Sequence, residues 1–215
     1  GLGFFTFITL LKIPAPYGKF SKTNWGPMIP SQVGWIVMEI ISPLALLYFF
    51  LNGNIEKTPT NITFISLWTL HYFNRSVIYP LRQNNPAQMP LIIAVLAFLF
   101  NVMNGYINGT YFGSIQEYSA EYMSNWNFIV GVCLFIIGAY INIKSDNILL
   151  SLRSKSGEYK IPEGFMFKYV SFPNYLGEIL EWMAFALMTW SLAGLSFMIW
   201  TMANLVPRAI KGHQW

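Results

Sequence analysis

Apolar segments of membrane-crossing length recur along almost the whole chain, and they leave little choice of solvent. A helix needs about 20 predominantly apolar residues to span a bilayer. Candidate spans lie at residues 1–11, 33–51, 61–80, 90–107, 127–143, 174–190 and 193–206. Charged residues make up only 10% of the 215 positions, against roughly 25% in a soluble domain. That is too little charge to cover a water-facing surface of this size. An ordinary soluble globule, a disordered chain and a nucleic-acid binder are thereby excluded. The expected class is an all-α integral membrane protein, a bundle of seven transmembrane helices. The first segment is short and opens at Gly1, which reads as the back half of a longer helix. Residues 182–206 could form one long span, and only Ser191-Leu192-Ala193-Gly194 signals a turn that would divide it.

Cation placement predicts the orientation, because Lys and Arg collect in cytoplasmic loops. Lys12, Lys19 and Lys22 follow the first span, and Arg75 and Arg82 close the third. Lys144, Arg153, Lys155, Lys160 and Lys168 lie between the fifth and sixth, and Arg208 and Lys211 are in the tail. With seven spans all of these fall on one side, and Lys57 alone falls on the other, beside Glu56, Glu117 and Glu121. The N-terminus is expected outside and the C-terminus in the cytosol, in a bacterial inner membrane or the endoplasmic reticulum membrane. Six spans would set the tail cations against the loop cations. Cys133, the single cysteine, lies in an apolar run where packing explains it, and two histidines supply a metal site poorly, so no metal is expected. The sequons at Asn61 and Asn108 are short matches that carry no weight. The polar stretch Ser145 to Ser171 mixes charges with aromatics, Gly157, Pro162 and Gly164, and is expected to be ordered and ligand-facing.

Ionisable groups at membrane depth are costly and should face the interior with a partner. Glu39 sits mid-span without a local cation. It is either a carboxyl paired to another helix, or one that desolvation keeps protonated as a hydrogen-bond donor. Tyr72, Arg75, Tyr79 and Arg82 follow i, i+3, i+7, i+10, one helical face, which points to a polar cavity. His71 points elsewhere and reads as a satisfied helix histidine. Asn142, Asp146 and Arg153 share a stripe, although Asp146 and Arg153 could equally form a structural salt bridge. Asn174, Glu178 and Glu181 make another face, where Gly177 would admit a neighbouring helix or a ligand. These stripes describe a cavity open to the cytosolic side, roofed by a cationic loop and tail. No glycine-rich phosphate loop exists in the chain, so side chains must hold any phosphate.

Several stretches occur in a telling order. They are Tyr17-Gly18-Lys19, the Glu39 helix, His71-Tyr72-Phe73-Asn74-Arg75 with Tyr79, and Asn142-Ile-Lys-Ser-Asp146 with Leu152-Arg153. They continue through Tyr159-Lys-Ile-Pro162, Tyr169-Val-Ser171, Asn174-Tyr-Leu-Gly-Glu178-Ile-Leu-Glu181-Trp182, and Arg208-Ala209 with His213 and Trp215. Together they resemble the steroid 5α-reductase family, the NADPH-dependent 3-oxo-Δ4-steroid reductases. The resemblance implies a single membrane-embedded reductase domain over residues 1–215 with NADPH inside the bundle. The loop at about 145–171 and the tail 207–215 would cover the cofactor. It implies cofactor contacts at Asn142, Asp146, Arg153, Tyr159, Asn174, Glu178, Arg208 and His213, with Arg75 and Tyr79 as second choices. Glu39 and Tyr72 would meet the substrate carbonyl. Met38 stands where steroid-reducing relatives often carry Gln, and Lys144 and Lys211-Gly212 where relatives often carry His.

The expected chemistry is conjugate reduction of a lipophilic, steroid-like enone that enters from the bilayer, by a monomer whose other partners are membrane lipids. Glu39 and Tyr72 would stabilise the developing enolate. The alternative is an S-adenosylmethionine-dependent membrane methyltransferase of the isoprenylcysteine type, motivated by the Asn174 to Glu181 stripe. A transporter or scaffold would need a polar path to the far side, and the far-side ends of the spans read as almost purely apolar.

Overall fold

The computed structural model describes residues 1–13, 24–83, 87–156 (backbone alone over 153–156) and 161–214. Its helices are α1 (Leu2–Lys12), α2 (Ser31–Leu51), α3 (Pro59–Phe73), the single turn α4 (Tyr79–Leu81), α5 (Leu91–Thr110), α6 (Trp126–Ser156), α7 (Pro173–Thr189) and α8 (Leu192–His213). Each of the seven apolar stretches is helical. Three helical segments, Ser31–Leu51, Leu91–Ile115 and Trp126–Leu152, are long and apolar enough to cross a membrane by length and composition, and Leu2–Lys12 is a shorter apolar helix.

The chain divides into two compact units, Pro16–Asn125 and Gly1–Ala15 with Trp126–Trp215. In the first, two short strands, β1 (Met28–Pro30) and β2 (Gln88–Pro90), pair antiparallel. Helix α2 follows Pro30 and α5 follows Pro90 directly. The two helices then run side by side in the same direction, because Gly105, Gly109 and Gly113 of the α5 segment lie against Ala45, Leu46 and Phe50 of α2. A Cβ added at Gly105 would lie 2.6 Å from that of Ala45, so the close approach exists only because these positions lack side chains. Helix α3 starts at an N-cap, Thr58, whose side chain accepts from the Asn61 N–H, with Pro59 in the first turn. It passes into a π-helical turn, Asn74–Ile78, just before Pro80. The α-helical spacing that put Tyr72, Arg75, Tyr79 and Arg82 on one face is therefore corrected. A wider turn resets the phase after Phe73.

In the second unit, α6 and α7 run antiparallel and touch at Gly138 and Gly177. A Cβ on Gly177 would sit 2.5 Å from the Asn142 backbone nitrogen. Helix α7 ends at Trp190, a left-handed residue with φ 46°, and the Ser191 side chain caps α8 by accepting from the Gly194 N–H at 3.0 Å. The stretch 182–206 thus belongs to two helices. Trp182 packs on Phe197 across this hairpin, ring centroids 4.4 Å apart.

Outward faces are apolar. Leu44, Tyr48 and Leu51 of α2 and Ile129, Ile136 and Ile137 of α6 are exposed, whereas Ser42, Asn61, Asn101, Asn108, Asn142 and Ser145 are buried. This inverts the pattern of a protein dissolved in water and suits a lipid surround. Cys133 is exposed, not packed inside as expected. A helix apolar all round gives hydropathy no means of telling its lipid face from its core face.

Candidate functional site

In the Pro16–Asn125 unit the candidate residues gather on α2, the end of α3 and α5. Tyr72 is buried, 4% exposed. Its ring stacks on Trp68 at 5.6 Å and an interplanar angle of 28°, and the Trp68 indole donates to Ser42 Oγ at 3.2 Å. The Tyr72 hydroxyl donates to Asn101 Oδ1 at 3.5 Å, a long bond. Asn101 Nδ2 donates in turn to the Met38 carbonyl at 2.6 Å, one residue before the half-buried Glu39. Asn101 therefore bridges Tyr72 and the turn that carries Glu39.

One π-helical turn on, the buried Arg75 holds its guanidinium 4.9 Å from the Trp35 ring centroid and 5.4 Å from that of Tyr79. Two aromatic faces around one arginine give it favourable contacts without a full aqueous shell. His71 is buried with its ring edge-on to Tyr72.

The sequence reading overlooked three amides in this unit. Asn101, Asn104 and Asn108 follow i, i+3, i+7 inside α5, and all are buried. Asn108 Nδ2 donates to Asn104 Oδ1 at 3.0 Å. Asn104 Nδ2 and Asn108 Oδ1 are buried with no partner among the described residues. Asn61, also fully buried, donates to the Phe112 carbonyl at 2.9 Å, so neither sequon asparagine offers an accessible amide. These amides also correct the expectation that the far-side ends are almost purely apolar.

In the other unit, the Gly138–Gly177 contact lets polar groups of α6 and α7 meet inside. Asn142 Nδ2 donates to the Asn174 carbonyl at 2.9 Å, and Asn174 Nδ2 donates to Asp146 Oδ1 at 3.0 Å. All three residues are buried. Asn142 and Asp146 share a face as their i, i+4 spacing predicts, because α6 stays α-helical through this stretch. Glu178 is half-buried one turn beyond Asn174, and Glu181 is 1% exposed. On α8, Arg208 donates to Asn204 Oδ1 at a long 3.5 Å, and the exposed His213 Nδ1 lies 2.6 Å from Ser171 Oγ ahead of α7. The Phe172 ring blocks the space a Cβ on Gly212 would need, so the end of α8 is closely held against the segment entering α7. Tyr159 and the Arg153 side chain lie outside the described residues.

The buried Asn174 Oδ1 has no hydrogen-bond partner among the described residues. A buried acceptor left this way costs about 1–3 kcal/mol, which a ligand amide N–H would offset. A carboxylate, amides and a half-buried arginine along one pair of helices and its neighbour present both acceptors and donors.

Residues 87–215 match the family described as 3-oxo-5-alpha-steroid 4-dehydrogenase. The chain is 41% identical over 221 residues to the steroid 5-alpha-reductase DET2 of Arabidopsis thaliana, covering 98% of this chain and 83% of that one. It is 42% identical over 218 residues to the protein of the same name from Solanum lycopersicum, covering 100% and 85%. It is 34% identical over 203 residues to the human 3-oxo-5-alpha-steroid 4-dehydrogenase 1, covering 93% and 78%. Nothing among these relatives favours a methyltransferase. With a family match over more than half its length and relatives of this identity along nearly all of it, the chain belongs to the steroid 5α-reductase family of oxidoreductases.

Proposed function

We propose that this protein reduces the C4–C5 double bond of a 3-oxo-Δ4-steroid, or a similar enone lipid, with NADPH as the reductant. The observation that carries the reading is the buried Tyr72 hydroxyl, linked through Asn101 to the turn that bears Glu39, in a chain of this family. When bound, NADPH supplies the hydride that adds to the β-carbon of the enone. Asn142, Asp146 and Asn174 would hold it, with Glu178, Arg208, His213, Arg153 and Tyr159, and with Arg75 and Tyr79 as further contacts.

Tyr72 and a protonated Glu39 donate hydrogen bonds to the 3-keto oxygen. As the double bond accepts the hydride, negative charge builds on that oxygen, and both donors strengthen there. Fixed donors in a water-poor site favour the charged transition state over the neutral ketone. A proton from Tyr72 or solvent then completes the α-carbon, so the product gains two hydrogens. Trp68, stacked on Tyr72, keeps the phenol ring from turning away.

The further expectations of the sequence belong to the same proposal. Seven helices cross the membrane with the N-terminus outside and the C-terminus cytosolic, in a bacterial inner membrane or endoplasmic reticulum. Both units serve one reductase, which works as a monomer, and the loop at about 145–171 and tail 207–215 cover the cofactor. The lipophilic substrate enters from the bilayer.

The test is purified protein in lipid nanodiscs with NADPH and a panel of 3-oxo-Δ4 steroids, scored by mass. A gain of two hydrogens is expected. S-adenosylmethionine in place of NADPH should give neither product nor thermal stabilisation. Methyl transfer, or no reduction of any enone with the protein folded, overturns the proposal.

A further inference from the structure

We infer that Asn101 is a positioning residue for the reduction, setting where the Tyr72 hydroxyl sits and aims. The inference rests on the reading of Tyr72 as a carbonyl donor.

Asn101 is a polar side chain in an otherwise apolar helix and only 5% exposed. Such a group is costly unless its hydrogen bonds are made. Its 2.6 Å bond to the Met38 carbonyl decides which way round the amide lies, because only Nδ2 can donate to a carbonyl. Oδ1 is thereby turned toward Tyr72 as an acceptor. The anchor also falls on a weakened stretch of α2. Pro43 lies within that helix and has no N–H to offer the Glu39 carbonyl four residues before it. A side-chain bond to the adjacent carbonyl supports the helix at that turn.

The two contacts made by Asn101 differ in kind. The bond to Met38 is short and holds the amide. The bond from Tyr72 is 3.5 Å and weak. The phenol ring stacks on Trp68, and its hydroxyl proton can turn about the Cζ–Oη bond. A long bond to Asn101 aims that proton, and a ketone oxygen can take it over without breaking a strong bond to the amide. A firm acceptor in the same place would hold the proton back.

A double-mutant cycle tests this with the full chain in nanodiscs, NADPH and a 3-oxo-Δ4 steroid. Asn101→Leu is expected to lower kcat about 10- to 100-fold, the scale of a misplaced reacting group, with a smaller change in KM and the NADPH-induced thermal shift retained. In a Tyr72→Phe background the same substitution should cost at most about threefold, since the group it acts through is gone. Equal fractional losses in both backgrounds, or wild-type kcat in Asn101→Leu, overturn the inference. Wild-type turnover in Tyr72→Phe alone overturns the reading beneath it instead. Should Asn101→Leu fail to fold, Asn101→Ala, which also removes the acceptor but adds no bulk, is put through the same cycle under the same criterion.

Discussion

The α2–α5 seam and the α6–α7 seam use one device for different chemical ends. Both bring helices close by removing side chains, at Gly105, Gly109 and Gly113 in one and at Gly138 and Gly177 in the other. Beside the first seam stand Trp35, Trp68, Tyr72 and Tyr79, three amides, and two ionisable groups at its level, Glu39 and Arg75. Beside the second stand Asn142, Asp146, Asn174, Glu178 and Glu181. An apolar ligand with one polar end suits the first lining, and a ligand rich in hydrogen-bonding groups suits the second. Close packing at the glycines is common to both seams, and the chemistry of the flanking residues is what differs.

The largest effects should come from the donors beside the first seam. Glu39→Leu and Tyr72→Phe, each of which removes a donor, are each expected to lower turnover by about 10²–10³ while NADPH still raises the melting temperature. Loss of that stabilisation in either variant would break the division of labour just drawn. Alanine at the glycines comes next. Gly177→Ala forces a Cβ against the Asn142 backbone, should cost about 1–3 kcal/mol and should abolish the NADPH thermal shift. Gly105→Ala should cost a similar amount in chemical denaturation yet leave that shift in place, so equal loss of the shift in both would remove the contrast.

A smaller change sharpens it. Asn104 Oδ1 accepts from the buried Asn108 Nδ2, so Asn104→Leu, which leaves that donor short of a bond, should lower the melting temperature by a few degrees. An unchanged or raised melting temperature would mean that the bond contributes nothing. The smallest effect belongs to Glu121, on neither seam. The Ser119 hydrogen bond, followed by a backbone N–H, holds its carboxyl below the ordinary range. A depressed carboxyl contributes stability in full above its unfolded value and loses it as pH falls through the folded one. The difference in melting temperature between wild type and Glu121→Gln should therefore shrink as pH drops from neutrality toward about 3. A difference that grows on acidification would reverse the sign.

Much of this was legible before any coordinates. Apolar runs of this length could only be helices, and the shared face of Asn142 and Asp146 follows from i, i+4 spacing wherever a helix stays regular. The Tyr72 to Arg82 face was misread because a π-helical turn adds a residue without a strong local signal. Ser76 Oγ bonds back to the Tyr72 carbonyl at this turn, and Pro80 lies just beyond it. Asn101, Asn104 and Asn108 lack the signal that an ionisable group gives inside an apolar run. Amides carry no charge to flag them, although their i, i+3, i+7 spacing beside Gly105 and Gly109 was visible. Which helices pack together through those glycines depends on long-range pairing, which spacing within one segment does not encode.

The β1–β2 ribbon works as a clasp. Ser31 N–H donates to the Ala87 carbonyl and Leu91 N–H to the Pro27 carbonyl, both at 2.8 Å, so the first residues of α2 and α5 are pinned to a common origin. Rotation along a helix advances about 100° per residue, and from that origin Met38 and Asn101 come round to face each other. Inserting one alanine between Leu91 and Asn101 would keep every side chain and still swing the amide a quarter-turn aside. The clasp is thus the timing element of the unit, and a tie far from the hydroxyl governs whether it is aimed.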